Sequence, residues 1–225
     1  LNNRTRSNVQ TEQCNVIMKE QNYSNPYLIS FTAGGLLYDE FISLYPYLND
    51  EKIDSIIDEI KTNVLLKTNS QAARQRIIRE VRKRYNAVNK NTFSNFMELN
   101  QNEQKISLFY SCLKTYPIIF DFFFDIIIEK WLSRDIEIDK STVLYFLDKQ
   151  SSSHPEIDDW KETTIHKISS VMIRMMNEVG ILIDGSLHPL DASNSYWYNF
   201  VENGDLWFLQ VCLLNKERRD RIING

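Results

Sequence analysis

Cysteine is scarce in this chain of 225 residues, and the three present, Cys14, Cys112 and Cys212, stand about a hundred residues apart. That spacing excludes the close pairing of a zinc site and the density of a secreted disulfide scaffold, so a reducing cytoplasm is the expected setting. Six glycines and five prolines are few for this length and leave room for long helices. An apolar leader is lacking, because the first 25 residues are polar and rich in Asn and Gln, and they read as a flexible tail. A membrane-spanning run is also missing. The most apolar stretch, Tyr116 to Leu132, carries Asp121, Asp125 and Glu129 at every fourth position, one narrow acidic stripe on a helix too short to span. It reads as a buried core helix, and no membrane partner is expected.

Catalytic signatures are absent as well. His154, His166 and His188 are isolated from any serine or cysteine motif, and no nucleophile elbow or metal-ligand spacing occurs. Gly34-Gly35 lacks the lysine and hydroxyl of a phosphate-binding loop and reads as a helix start or a close backbone approach. The expectation is a non-enzyme with no cofactor and no metal.

What is there is a sharply segregated charge. The whole chain is at −4, which excludes a globally basic nucleic-acid binder. Between Lys67 and Lys90, however, eight basic residues face one acid, Glu80, giving +7 locally and leaving −11 elsewhere. The segment is periodic: Ile77, Ile78, Val81, Tyr85 and Val88 line one side of a helix over 70–88 capped by Ser70, while Arg76, Arg79 and Lys83 fall opposite. Arg74, Arg76, Arg79, Arg82, Lys83 and Arg84 are the candidate phosphate contacts, since neutralised phosphates release counterions and arginine forks onto phosphate or guanine. The alternative is a solvated face paired with Asp54, Asp58 and Glu59 or with an acidic protein partner.

Helices are also expected over Leu36–Tyr45, closed by Pro46, and after Asn49-Asp50 with Asp50 as cap and Ile53, Ile56, Ile57, Ile60, Val64 and Leu65 inward. Others follow at Asn91–Leu99, Asn102–Thr115 behind the box-like Asn100 and Glu103, and Pro117–Leu132. From 135 the pattern changes. A helix Lys140–Lys149, a polar loop, a helix Trp160–Glu178 closed by Gly180, and a hairpin Ile181–Leu190 about Asp184-Gly185 make the order of a winged helix. Short helices Ser195–Val201 and Asp205–Asn215 complete the chain. The organisation expected is therefore a tail over 1–25, a helical domain over 26–134 and a winged-helix-like domain over 135–225. Lys161, Thr163, Thr164 and Lys167, at the start of the helix before the hairpin, are the second candidate contact, with Ile165, Ile168, Val171, Met172 and Met175 behind them. The bland alternative is that the threonines cap the helix. Trp197, Tyr198 and Trp207 either serve a homodimer or pack inside.

Three stretches carry a family resemblance: Ser30-Phe-Thr-Ala-Gly-Gly-Leu-Leu37; Asn63-Val-Leu-Leu-Lys-Thr68 running into Arg74 to Arg84; and Thr163-Thr-Ile-His-Lys-Ile168 continuing through Met175 to Leu182. In these the chain resembles BrxA, a component of BREX bacteriophage-exclusion systems. The resemblance implies a mainly α protein with a helix-turn-helix-like, NusB-like N-terminal part and a winged-helix-like C-terminal part that binds double-stranded DNA, with no catalytic residues. It implies a role in phage defence beside other BREX proteins. A scaffold of the defence complex and a NusB-like RNA binder are the competing readings.

Overall fold

The computed structural model describes residues 26–48 and 53–224. The tail expected over 1–25 and the cap expected at Asp50 lie outside the described residues. The described residues are mainly helical, with one small antiparallel hairpin. A 3-10 turn, Ser30–Ala33, leads through Gly34 and Gly35 into α1 (Tyr38–Leu44). Pro46 sits at the start of a further 3-10 turn, Tyr45–Tyr47, where its missing N–H leaves no bond unmade.

The next helix, α2 (Ile53–Thr62), is shorter than its isoleucine pattern suggests. Ile56 is fully buried, but Ile57 is half exposed, and Val64, expected inward, lies beyond the helix end and is 65% exposed. Glu59 explains the break. Its buried carboxylate accepts the backbone N–H groups of Val64, Leu65 and Leu66 at 2.9–3.1 Å, turning the chain away from the helical path. The basic helix α3 (Gln71–Asn86) starts where expected, with Ser70 Oγ accepting from Ala73 N–H at 3.0 Å.

A helix expected over Asn91–Leu99 is instead two 3-10 turns, Lys90–Phe93 and Phe96–Glu98. The asparagines are the physical reason: Asn89 takes the Asn91 N–H on its own side chain, and such local bonds compete with helix continuation. Beyond them, α4 (Gln101–Thr115) is capped by Asn100, which accepts from Glu103 N–H, while the Glu103 carboxylate reaches out to Ser193 rather than closing the box. The helix α5 covers 117–132 and is π-wound at Phe123–Ile127. The extra residue in that turn breaks the expected acidic stripe: Asp121 is buried and accepts from the Tyr27 hydroxyl at 2.7 Å, Asp125 accepts from Gln150, and Glu129 is exposed. Among the described residues no helix is long and apolar enough to cross a membrane.

The C-terminal half follows the expected order. A bridge at Glu137 precedes α6 (Lys140–Gln150), capped by Asp139, and α7 (Glu162–Val179), which ends on Gly180 at φ 86°. Strands β1 (Leu182–Ile183) and β2 (Ser186–Leu187) then pair antiparallel, Leu182 opposite Leu187, around Asp184 and Gly185, both at positive φ. That is the primed turn whose twist matches a tight hairpin. Residues 136–138 line the other edge of β2, with Leu187 N–H donating to Ile136 O and Ile138 N–H to Gly185 O, each at 2.8 Å. The last helices are α8 (Asn194–Glu202), α9 (Leu206–Val211) and α10 (Lys216–Asn224); α10 was not anticipated from the sequence. Trp197 and Trp207 are buried and Tyr198 is half exposed, so both tryptophans serve the core. One apolar cluster runs from Tyr27 to Ile222 through both expected domains, so the change of motif near 135 falls within a shared core.

Two carboxylates tie the loops of this fold. Burial raises the pKa of Glu59, but the N–H groups of Leu66, Leu65 and Val64 outweigh it and hold the group below its ordinary 4.5. Glu156 is likewise held down against burial by the Tyr27 N–H and by His154, whose ring stacks on Tyr27 at 3.6 Å. A lowered folded pKa means that the stability each contributes is present above its unfolded value and lost as pH falls through the lower folded one. Thermal denaturation between about pH 3 and pH 6 should therefore show a falling melting temperature below about 4.5, with a shallower fall in Glu59→Gln. An identical acid limb in that variant would count against the assignment.

Candidate nucleic-acid interface

The helix α3 sorts its cations onto two sides. Arg74, Ile77, Ile78, Val81 and Arg84 form the buried stripe, so Arg74 and Arg84 face inward and are not available to a phosphate. This corrects their placement in the phosphate track. Arg74 donates to the carbonyls of Ile60 at 2.9 Å and Thr68 at 2.7 Å, fastening the loop ahead of its own helix. Arg84, 1% exposed, donates to the carbonyls of Gly35 at 2.8 Å, Leu36 at 3.1 Å and Gly34 at 3.3 Å. Its neighbours complete a buried polar cluster: Glu80 lies 4.0 Å away and accepts the Tyr116 hydroxyl. Burial pushes the Tyr116 phenol well above its ordinary value, with Glu80 adding to the shift, so it remains a neutral donor.

Arg76 and Arg79 are exposed and Arg82 is half-buried; among the described residues none of the three makes an ion pair or side-chain hydrogen bond. Of the three carboxylates that could neutralise this face, Glu59 is spent on backbone N–H groups, and among the described residues no ion pair joins Asp54 or Asp58 to it. Lys83 takes an intermediate position, 3.3 Å from Ser30 Oγ and over the Tyr116 ring at 4.8 Å. Lys67, just before the helix, is exposed.

On α7, Lys161, Thr163 and Lys167 are exposed and Thr164 is half-buried, while Ile168, Val171, Met172, Met175 and Met176 face inward. The cap residue is Lys161 and no side chain bonds the first N–H groups, so the threonines do not cap the helix. The first N–H groups of the helix are thus left without a side-chain cap, and its first turn carries Glu162, whose charge suits the positive end of the helix dipole. The exposed face continues through His166 to Arg174 and Asn177. The hairpin beside it is acidic. Asp184 stands in its turn, and Asp135, Glu137 and Asp139 line the shallow groove between that turn and the start of α6.

Both α3 and α7 pack against the Ser30–Ala33 turn, which brings the two sequence-predicted contact helices to one small element. Sequence reasoning missed the parts that join them: Arg174, whose Nη2 would lie 3.9 Å from a Cβ at Gly34, and Glu178, which accepts the Leu36 N–H at 2.6 Å. A signal for Arg84 was present, since it stands in phase with Ile77 and Val81; none marked Glu178.

Comparison with solved structures finds a crystal structure of an uncharacterized protein from Magnetospirillum magneticum, 15% identical, covering 84% of this chain and 98% of that one at a TM-score of 0.68. At that identity the likeness concerns the fold alone. No curated protein matches. The family model for BrxA matches residues 25–191, which takes in the glycine turn, the basic helix, α7 and the hairpin. The chain therefore belongs to the BrxA family of BREX phage-defence systems.

Proposed function

We propose that this chain is a non-catalytic, double-stranded DNA-binding component of BREX phage defence. The observation that carries the reading is the outward, uncommitted set Arg76, Arg79 and Arg82 on a helix whose other face is fully packed. Cations left unpaired by their own fold are free to release counterions from a phosphate backbone. A second support is topological. The order α5, strand-like 136–138, α6, α7, β1, β2, with 136–138 paired to β2, is that of a winged helix in which α7 is the recognition helix. In that reading Lys161, Thr163, Thr164 and Lys167 enter or flank a groove.

Binding of this kind is strongly salt-dependent and weakly sequence-specific. A gel-shift titration on a mixed-sequence duplex between about 50 and 200 mM salt should show affinity falling at least about tenfold, and matched structured RNA should compete poorly. An affinity that is flat across the salt range would sink the reading, and stronger competition by the RNA would transfer it to RNA.

A further inference from the structure

The three stretches that mark the family meet at one residue, Leu36. Its carbonyl accepts from Arg84 of α3, and its N–H donates to Glu178 of α7. The same Arg84 guanidinium also holds the carbonyls of Gly34 and Gly35, and a Cβ at Gly35 would lie 2.2 Å from Glu178 Oε2, so a side chain there would push that carboxylate aside. A cation from one contact helix and an anion from the other thus grip opposite poles of a single peptide loop. Neither pole of that loop meets solvent, since Gly34, Gly35 and Leu36 are all buried.

We propose that Glu178 is a positioning residue for DNA: with Arg84 it latches α3 and α7 through the Gly34–Leu36 loop, so that the outward cations of both helices engage one duplex together. The proposal rests on the DNA-binding reading and adds the element that makes two half-sites into one site. It concerns a residue that touches no phosphate. Glu178 is itself an anion, 3.5 Å from exposed Arg174, and its charge taken alone repels DNA.

That gives a test whose sign discriminates. Charge alone predicts that Glu178→Ala binds a duplex more tightly; the latch predicts weaker binding, about fivefold, because the acceptor of the Leu36 N–H is gone and the two helices no longer present their cations in register. Gly35→Ala displaces the Glu178 carboxylate without changing any charge and should weaken binding to a similar degree. Both are measured by fluorescence anisotropy on the full chain, at a temperature where circular dichroism shows the variant folded, beside Arg76→Glu/Arg79→Glu. Loss of affinity in both latch variants supports the proposal. Unchanged or tighter binding in Glu178→Ala, with affinity lost in the arginine double variant, overturns the latch and leaves the DNA reading standing. No binding by the unaltered chain overturns both.

Discussion

Reversing Arg76 and Arg79 to glutamate should lower affinity for a duplex on the order of 100-fold at moderate salt and flatten the slope of log K against log[salt] by about 2. The two effects have one cause. Each arginine that meets a phosphate displaces a condensed counterion, so removing the contact removes its share of the salt dependence, and the new carboxylate adds repulsion. Both side chains are exposed and unengaged, so the fold should hardly notice: surface changes of this kind usually stay within about 0.5 kcal/mol. Fluorescence anisotropy across a salt series measures slope and affinity together. An unchanged slope would remove these residues from the interface. Loss of co-purifying defence proteins with DNA binding intact would favour a scaffold instead.

Arg84→Ala should have the opposite profile, with a large loss of stability at a position that no ligand touches. The guanidinium is the only donor to the Gly34, Gly35 and Leu36 carbonyls among the side-chain bonds of the described residues, and it is the cation nearest buried Glu80. Removing one member of a buried ionic cluster strands the others, at a cost of about 3–5 kcal/mol. For a chain of this size that corresponds to a melting temperature lower by about 10 °C. Arg84→Lys should recover only part of it, because an ammonium cannot spread three bonds in a planar fork. A drop of under about 1 kcal/mol in Arg84→Ala would show that the cluster contributes little.

The contrast between Arg84 and the pair Arg76 and Arg79 locates what the sequence could reveal. Hydrophobic period placed α3 and α7 to within a residue or two, because most positions along each helix agree with one burial pattern. The Asp184-Gly185 turn was equally legible, since a two-residue turn with both φ values positive has few other sequences. Charge was the less faithful guide. A run of arginines reads as a surface, yet Arg74 and Arg84 are inside, each bonded to carbonyls contributed by segments 6 to 50 residues away. The sequence states which residues carry charge; which carbonyls wait for them is settled only when the turns fold. The same holds for Glu59 and for Glu178, whose partners are backbone N–H groups that no side-chain pattern announces. Asn91–Leu99 failed for a neighbouring reason, in that local side-chain bonding overrode a tolerable helical composition.

With +7 over Lys67–Lys90 and −11 over the remainder, the chain keeps much of its opposite charge in separate segments. Near a polyanion the outward arginines of α3 are attracted before any contact forms, while Asp184 and the carboxylates of its groove are repelled. The chain's small net negative charge, unfavourable for attraction at long range, acts as a filter on orientation: approaches with the wrong face are repelled, and the collisions that remain arrive already aligned.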